Sequence, residues 1–112
     1  MKNIFLGIML VFVMLCTQAQ DKKNKNAKYT IEVKGNCEQC KRRIEVASYK
    51  VKGVKSAIWD VDTHQLSLIL NEEKGSLSDV KKAITHAGHD AVEAKTTDEN
   101  YNKLPECCKY ER

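Results

Sequence analysis

Cys37 and Cys40 stand three residues apart in "KGNCEQCKRR", residues 34 to 43. Two thiols at this spacing can converge on one ion. Sulfur ligands suit Cu(I), Zn(II) or another thiophilic ion, and do not suit Mg(II) or Ca(II). The same pair could also be a redox couple, or half of a structural disulfide framework. Cys107 and Cys108 form a second pair near the C-terminus, and neighbouring cysteines rarely bond each other because the joining ring is strained. The tail pair is therefore read as extra metal ligands, or as partners for Cys37 and Cys40 in a disulfide staple or a metal-bridged dimer. Copper, as Cu(I), tolerates an open two- or three-ligand clamp, whereas Zn(II) usually takes four ligands.

These residues need elements to hold them. "YTIEVKG" alternates, with Tyr29, Ile31 and Val33 on one face, and reads as a strand ended by Gly35. From Cys37 to about Val51 the period changes: Cys40, Ile44, Ala47 and Val51 make a helical stripe ending near Gly53. Cys37 is thus expected in the loop after the first strand and Cys40 in the first helical turn. Unpaired N–H groups and the positive end of the helix dipole there favour thiolate over thiol. Lys41, Arg42 and Arg43 add charge nearby, as a solvated helix face or a basic rim for an acidic partner.

"VKSAIWDVD" and "LSLIL" alternate on either side of a tight "THQ" connection and predict a hairpin. Ser76 and Asp79 resemble a capping box, opening a second amphipathic helix through Leu77, Val80, Ile84 and Ala87. Gly88 closes it, and "DAVEAK" reads as a short last strand. The order is βαββαβ. With right-handed crossovers it predicts an α+β, ferredoxin-like sandwich: a four-stranded antiparallel sheet with both helices on one face. Trp59 is read as a core residue.

The chain of 112 residues has room for one small domain. Residues 1–19 carry Lys2, an apolar run from Ile4 to about Leu15, and Thr17 and Ala19 before a cut at Gln20. That is the pattern of a signal peptide, and the run is shorter than the roughly 20 residues a bilayer requires. The mature chain is expected to be exported, periplasmic or extracellular, without a permanent membrane span. Lipidation at Cys16 is the weaker reading, since bulky Leu15 precedes it. Removing Lys2 takes the net charge from +4 to +3, a mild excess without the long basic run or aromatic content of a nucleic-acid binder. Residues 20–27 read as a linker, 28–95 as the domain and 96–112 as a polar, cysteine-bearing tail. No base, nucleophile or Gly-rich loop forms a catalytic constellation.

Over residues 28–95 the sequence resembles the heavy-metal-associated domain of copper metallochaperones, copper-ATPase modules and periplasmic mercury-binding proteins. "KGNCEQC" is similar to the family's "GMxCxxC", and "VKGVKSAIWDVDTHQLSL" and "AITHAGHDA" resemble its hairpin and its passage into the last strand. The resemblance implies a non-enzymatic soft-metal binder with Cys37 and Cys40 as ligands. Cu(I) comes first, then Hg(II), then Zn(II) or Cd(II). It also implies a metal-transport protein or efflux-pump domain as partner. Two departures stand out: Asn36 replaces the usual Met, and His89 replaces the residue after the glycine. In the family that position lies near the metal loop, so His89 is read as a third ligand, as a donor that neutralises the thiolate complex, or as a solvent-exposed loop histidine. His86 and His64 are read as helix-end and turn residues. An oxidising compartment would close Cys37–Cys40 unless metal or a reductase protects them. A thiol–disulfide oxidoreductase and a disulfide-stapled interaction domain are the alternatives. The former lacks the longer α/β pattern and the active-site proline, since the chain's one proline is Pro105.

Overall fold

The computed structural model describes residues 23–112, so the expected signal peptide and Cys16 lie outside the described residues. Strand β1 (Ala27–Glu32) leads through a loop into helix α1 (Glu38–Tyr49). Strands β2 (Val54–Trp59) and β3 (Gln65–Leu70) follow as a hairpin, and helix α2 (Leu77–His86) follows them. A short helix α3 (Asp98–Asn102) and a 3₁₀ turn (Glu106–Cys108) end the chain.

The sheet is antiparallel, in the order β1-β3-β2. Leu68 faces Tyr29 on one side and Ala57 on the other. Alternation did its work here: Ile31, Ala57, Trp59, Leu66 and Leu68 are all buried. Cys40, Ile44, Val80 and Ile84 meet them from the two helices, and Val51 packs at the margin. The Ser76–Asp79 capping box forms in both directions, so two N–H groups at the start of α2 are satisfied.

The expected fourth strand is reduced to a single bridge, Val33 to Ala91, at the free edge of β1. Two bonds frame it: Lys34 N–H donates to the Asp90 carbonyl (2.8 Å) and Val92 N–H to the Glu32 carbonyl (3.0 Å). The placement is that of the ferredoxin-like sandwich, but the strand cannot lengthen. The chain folds back at once through Glu93, whose φ is 62°, and Ala91 and Ala94 bond each other's backbone. The Asp90 carboxylate accepts from Thr96 N–H (2.8 Å) and fixes this reversal.

The segment 96–112 is not the solvated tail its composition predicts. Leu104, Cys108 and Tyr110 are buried in the core. The Tyr110 hydroxyl donates to the Gly88 carbonyl (3.1 Å) and accepts from Asp90 N–H (2.9 Å). Tyr101 packs edge-on against Tyr110, its hydroxyl donating to the Tyr110 carbonyl. Arg112 lies over the Tyr101 ring and reaches Asp98 (2.7 Å) and the Thr96 carbonyl (3.0 Å). Gly88 makes this approach possible. Its φ is 104°, and a Cβ there would stand 2.8 Å from the Asn100 carbonyl oxygen and 2.9 Å from Leu104. Gly88→Ala is therefore expected to destabilise the fold by more than about 1 kcal/mol, through left-handed strain and the lost packing of the tail. Urea unfolding of the variant against the parent reads this, and an unchanged midpoint would show that the tail does not bear on Gly88.

Candidate metal centre

The site begins where β1 ends. Trp59, wholly buried, donates its indole N–H to the Val33 carbonyl at 3.0 Å. Its ring lies beneath Gly35, where a Cβ would meet Cys40 Cβ at 3.0 Å and the indole at 3.1 Å. Backbone, ring and first helical turn therefore stack with no room for a side chain. Helix α1 starts directly above. Cys37 occupies its N-cap in extended conformation, and Cys40 sits one turn in. The Asn36 N–H points at Cys40 Sγ, 3.3 Å away.

Four sulfurs converge. Cys37 Sγ lies 3.4 Å from Cys40 Sγ, 3.0 Å from Cys107 Sγ and 3.7 Å from Cys108 Sγ. Cys107 and Cys108 are 4.0 Å apart. Cys37, Cys40 and Cys108 form the compact group, with all three sulfurs within 4.8 Å of one another. Cys40 and Cys108 are buried, Cys37 is half-buried and Cys107 is exposed, donating to the Gln39 side-chain oxygen (3.0 Å). All four are free thiols.

The proton distribution among them is uneven. Burial pushes the Cys37 thiol up. Hydrogen bonding with Cys107, the Cys40 backbone N–H and the Cys40 and Cys108 sulfurs more than offsets this, bringing Cys37 down to about 7. The cost falls on its neighbours. Cys107 is raised, first by its hydrogen bond with Cys37, and Cys108 is raised by burial and then by its neighbouring sulfurs. Near neutral pH Cys37 is therefore readier to lose its proton than Cys107 or Cys108. A soft cation would displace the thiol protons, which couples metal uptake to proton release.

The expected basic rim is mostly engaged in structure. Lys41 pairs with Glu45 (2.7 Å) and donates to the Trp59 carbonyl, while Glu45 also accepts from Trp59 N–H. Arg43 donates to the Ala87 carbonyl at 3.1 Å, and its Nε is buried. Arg42 is the exposed member of the three. His64 is the turn residue, with φ 60°, but its ring also stacks on Trp59 at 5.6 Å. His86 is exposed at the end of α2.

His89 lies elsewhere than the exposed and ligand readings place it. It is neither exposed nor among the clustered ligands. It is fully buried, stacked on Tyr110, with Nδ1 2.8 Å from the Lys34 carbonyl. A carbonyl only accepts, so Nδ1 carries the proton and Nε2 is left buried without a partner. Desolvation, and then nearby Arg43, lower its pKa against the opposing pull of the Lys34 carbonyl. His89 supports the loop before the cysteines from within the core.

The residues that carry the tail to the site, Leu104 and Tyr110, were missed among the polar ones. One signal was present: Tyr101, Leu104 and Cys108 recur at i, i+3 and i+7, a stripe that α3 and the turn after it bury or half-bury. A neutral buried histidine also has a pH consequence. Below its ordinary value of about 6.5 the unfolded chain binds a proton that the folded chain refuses. Stability contributed by His89 is therefore present above that value and lost as pH falls, by at most about 1.4 kcal/mol per pH unit. Denaturant unfolding between pH 7 and 5 is expected to show a loss that His89→Gln reduces, and equal slopes in the two proteins would exclude a neutral folded His89.

Comparison with known proteins agrees with this geometry. The heavy-metal-associated domain matches residues 30–90. The copper chaperone CopZ of Staphylococcus haemolyticus is 36% identical over 61 residues, which is 54% of this chain and 90% of that protein. The solved structure of a CopZ metallochaperone is 30% identical with a TM-score of 0.56, over 58% of this chain and 98% of that one. Oxidized MerP from Ralstonia metallidurans CH34 superimposes with a TM-score of 0.51 at 25% identity, over 58% of this chain and 94% of its own. The N-terminal domain of a potential copper-translocating P-type ATPase from Bacillus subtilis, solved in its Cu(I)-loaded state, gives 0.56 at 27%, over 59% of this chain and 84% of its own. The matched span takes in the second half of β1, the loop and α1 with the two cysteines, the hairpin and α2, and stops before the tail; by sequence, site and fold, the chain belongs to the heavy-metal-associated domain family.

Proposed function

We propose that this protein captures a soft metal ion, Cu(I) first, at Cys37 and Cys40 and passes it to a metal-transport protein. The observation that carries this reading is the placement of the two sulfurs, 3.4 Å apart at the start of α1, with Cys37 acidified to about 7. A thiolate is thus available near neutral pH without outside help. Thiolates and Cu(I) are matched in softness, and sulfur donors likewise accept Hg(II), Zn(II) and Cd(II). The similarity to copper chaperones ranks copper first, and the similarity to MerP keeps mercury second.

Transfer follows from chemistry as much as from kinship. Cys37 is half-buried and Cys107 exposed, so an incoming thiolate can reach the ion from that side. It bonds to the ion as one of the resident sulfurs lets go, and the freed thiolate takes up a proton. The partner class is a cysteine-bearing domain of a transporting ATPase, in line with the similarity to such a domain. Among the described residues no helix is long and apolar enough to cross a membrane. The role is one of binding and carriage, with no bond of a substrate made or broken.

Anaerobic titration of the reduced protein with Cu(I), against a competing chelator, is expected to show tight binding that Cys37→Ser and Cys40→Ser each weaken at least about 100-fold. Undiminished affinity in the double variant would move the site elsewhere. Disulfide exchange is the competing reading, favoured by the contact of Cys37 with three other thiols. Catalysed reduction of a small disulfide by metal-free protein, with no retention of Cu(I), would favour it over carriage.

Export is part of the same proposal, resting on Lys2, the apolar run after it and the small residues Thr17 and Ala19. Protein recovered from the periplasm or medium of the producing cell is expected to begin at Gln20. A chain that retains Met1 and stays in the cytoplasm would refute export.

A further inference from the structure

We propose that the C-terminal segment supplies a third metal ligand, Cys108, so that the ion is held by Cys37, Cys40 and Cys108, with Cys107 standing outside the ligand set. This rests on the soft-metal reading of the same site and extends it past the matched span, which ends at residue 90.

Spacing is the first argument. With metal–sulfur bonds of about 2.3 Å, two sulfurs across a linear ion stand about 4.6 Å apart, those of a trigonal set about 4.0 Å and those of a tetrahedral set about 3.8 Å. The observed Cys37–Cys40 and Cys37–Cys108 separations are 3.4 and 3.7 Å, and Cys40–Cys108 lies within 4.8 Å. Cys37 and Cys40 are thus too close for a linear two-sulfur complex, and their spacing is nearer that of a trigonal or tetrahedral set, which calls for at least one further ligand. Cu(I) accepts three sulfurs, and these three lie within 4.8 Å of one another.

The second argument is that the tail is held in place by bonds that do not involve sulfur. The Tyr110 hydroxyl is clamped between Gly88 and Asp90, two residues beyond Cys108. Leu104 is buried on the other side of the cysteine, and Arg112 ties the terminus to Asp98 and Thr96. The 3₁₀ turn that carries the thiol packs against α1. Cys108 is therefore positioned before any ion arrives, and its ordering cost is met by folding rather than by binding. A buried cysteine can serve as a small apolar side chain and nothing more. Cys108 differs because its sulfur is turned toward the two sulfurs of the pair.

The third argument separates the two tail thiols. Cys107 is exposed and bonds Gln39, and it lies outside the compact group of three. Cys108 is wholly buried and inside it. A third buried ligand makes the protein a holder that releases slowly. Hand-over then requires the acceptor's thiolate to bond to the ion while the Cys108–metal bond breaks and Cys108 regains a proton.

The test uses the reduced mature chain with one equivalent of Cu(I), read by X-ray absorption for the number of sulfurs and by chelator competition for affinity. Three sulfurs are expected in the parent and in Cys107→Ser. Cys108→Ser is expected to show two sulfurs and at least about tenfold weaker binding, since even partners outside the ligand shell are worth about that much. It should also pass Cu(I) to a dithiol acceptor faster. Cys108→Ala, which keeps the site apolar, guards against misfolding of the serine variant, and the sulfur count on the unaltered protein stands apart from both. Two sulfurs in the parent, or unchanged affinity in both Cys108 variants, would overturn the third ligand while leaving the carrier reading intact. A parent that binds no Cu(I) would refute the carrier reading and the third ligand together.

Discussion

Trp59 is the piece on which the metal loop is built. Its indole N–H holds the Val33 carbonyl just past β1, its ring lies beneath Gly35, and its backbone anchors Lys41 and Glu45 of α1. One side chain thereby links the end of a strand, a loop and the first turns of a helix. The loop has little freedom left, because Gly35 lies between the ring and Cys40 with no space for a Cβ. The cysteine pair takes its geometry from this stack. The family's usual methionine before the first cysteine is absent, and the exposed Asn36 stands there without a packing role.

Around that fixed loop, the C-terminal segment forms a second, independent support. Tyr110 joins it to the Gly88–Asp90 turn, and His89 fills the space between that turn and Lys34. The short fourth edge follows from the same arrangement. Asp90 uses its carbonyl to pair with β1, its N–H to bind Tyr110 and its carboxylate to turn the chain at Thr96. A residue so engaged ends a strand rather than extending it, and the chain is sent toward the sulfurs instead of along the sheet.

The chemistry of the cluster is that of shared protons. Hydrogen bonding with its neighbours makes Cys37 acidic, while Cys107 is raised by its bond with Cys37 and Cys108 first of all by burial. A lone thiolate at a helix start would be reactive and easily oxidised. Here Cys37 is half-buried and hydrogen-bonded to the sulfurs around it. The helix start contributes N–H groups, while most of the neighbouring basic side chains are committed elsewhere, to Glu45, Trp59 and Ala87.

Much of this was legible in the order of residues. The period-two runs at Tyr29–Val33, Ala57–Trp59 and Leu66–Leu70, the helical stripe through Cys40 and Ile44 and the Ser76–Asp79 box each formed where the pattern placed them. Such signals are local, because the period of a strand or helix is written in consecutive side chains. The position of the Cys37–Cys40 pair on a helix start is local too. What the sequence could not decide was every contact joining residues far apart in the chain. The polar composition of 96–112 hid three buried anchors, and the exposed and ligand readings of His89 gave way to burial in the core. Whether Cys107 and Cys108 reach the pair depends on a loop closure of some seventy residues, set by one tyrosine hydroxyl and one glycine that lets the tail approach. Periodicity carries no information about such a closure, because its energy comes from burial and hydrogen bonds that exist only once the core has formed.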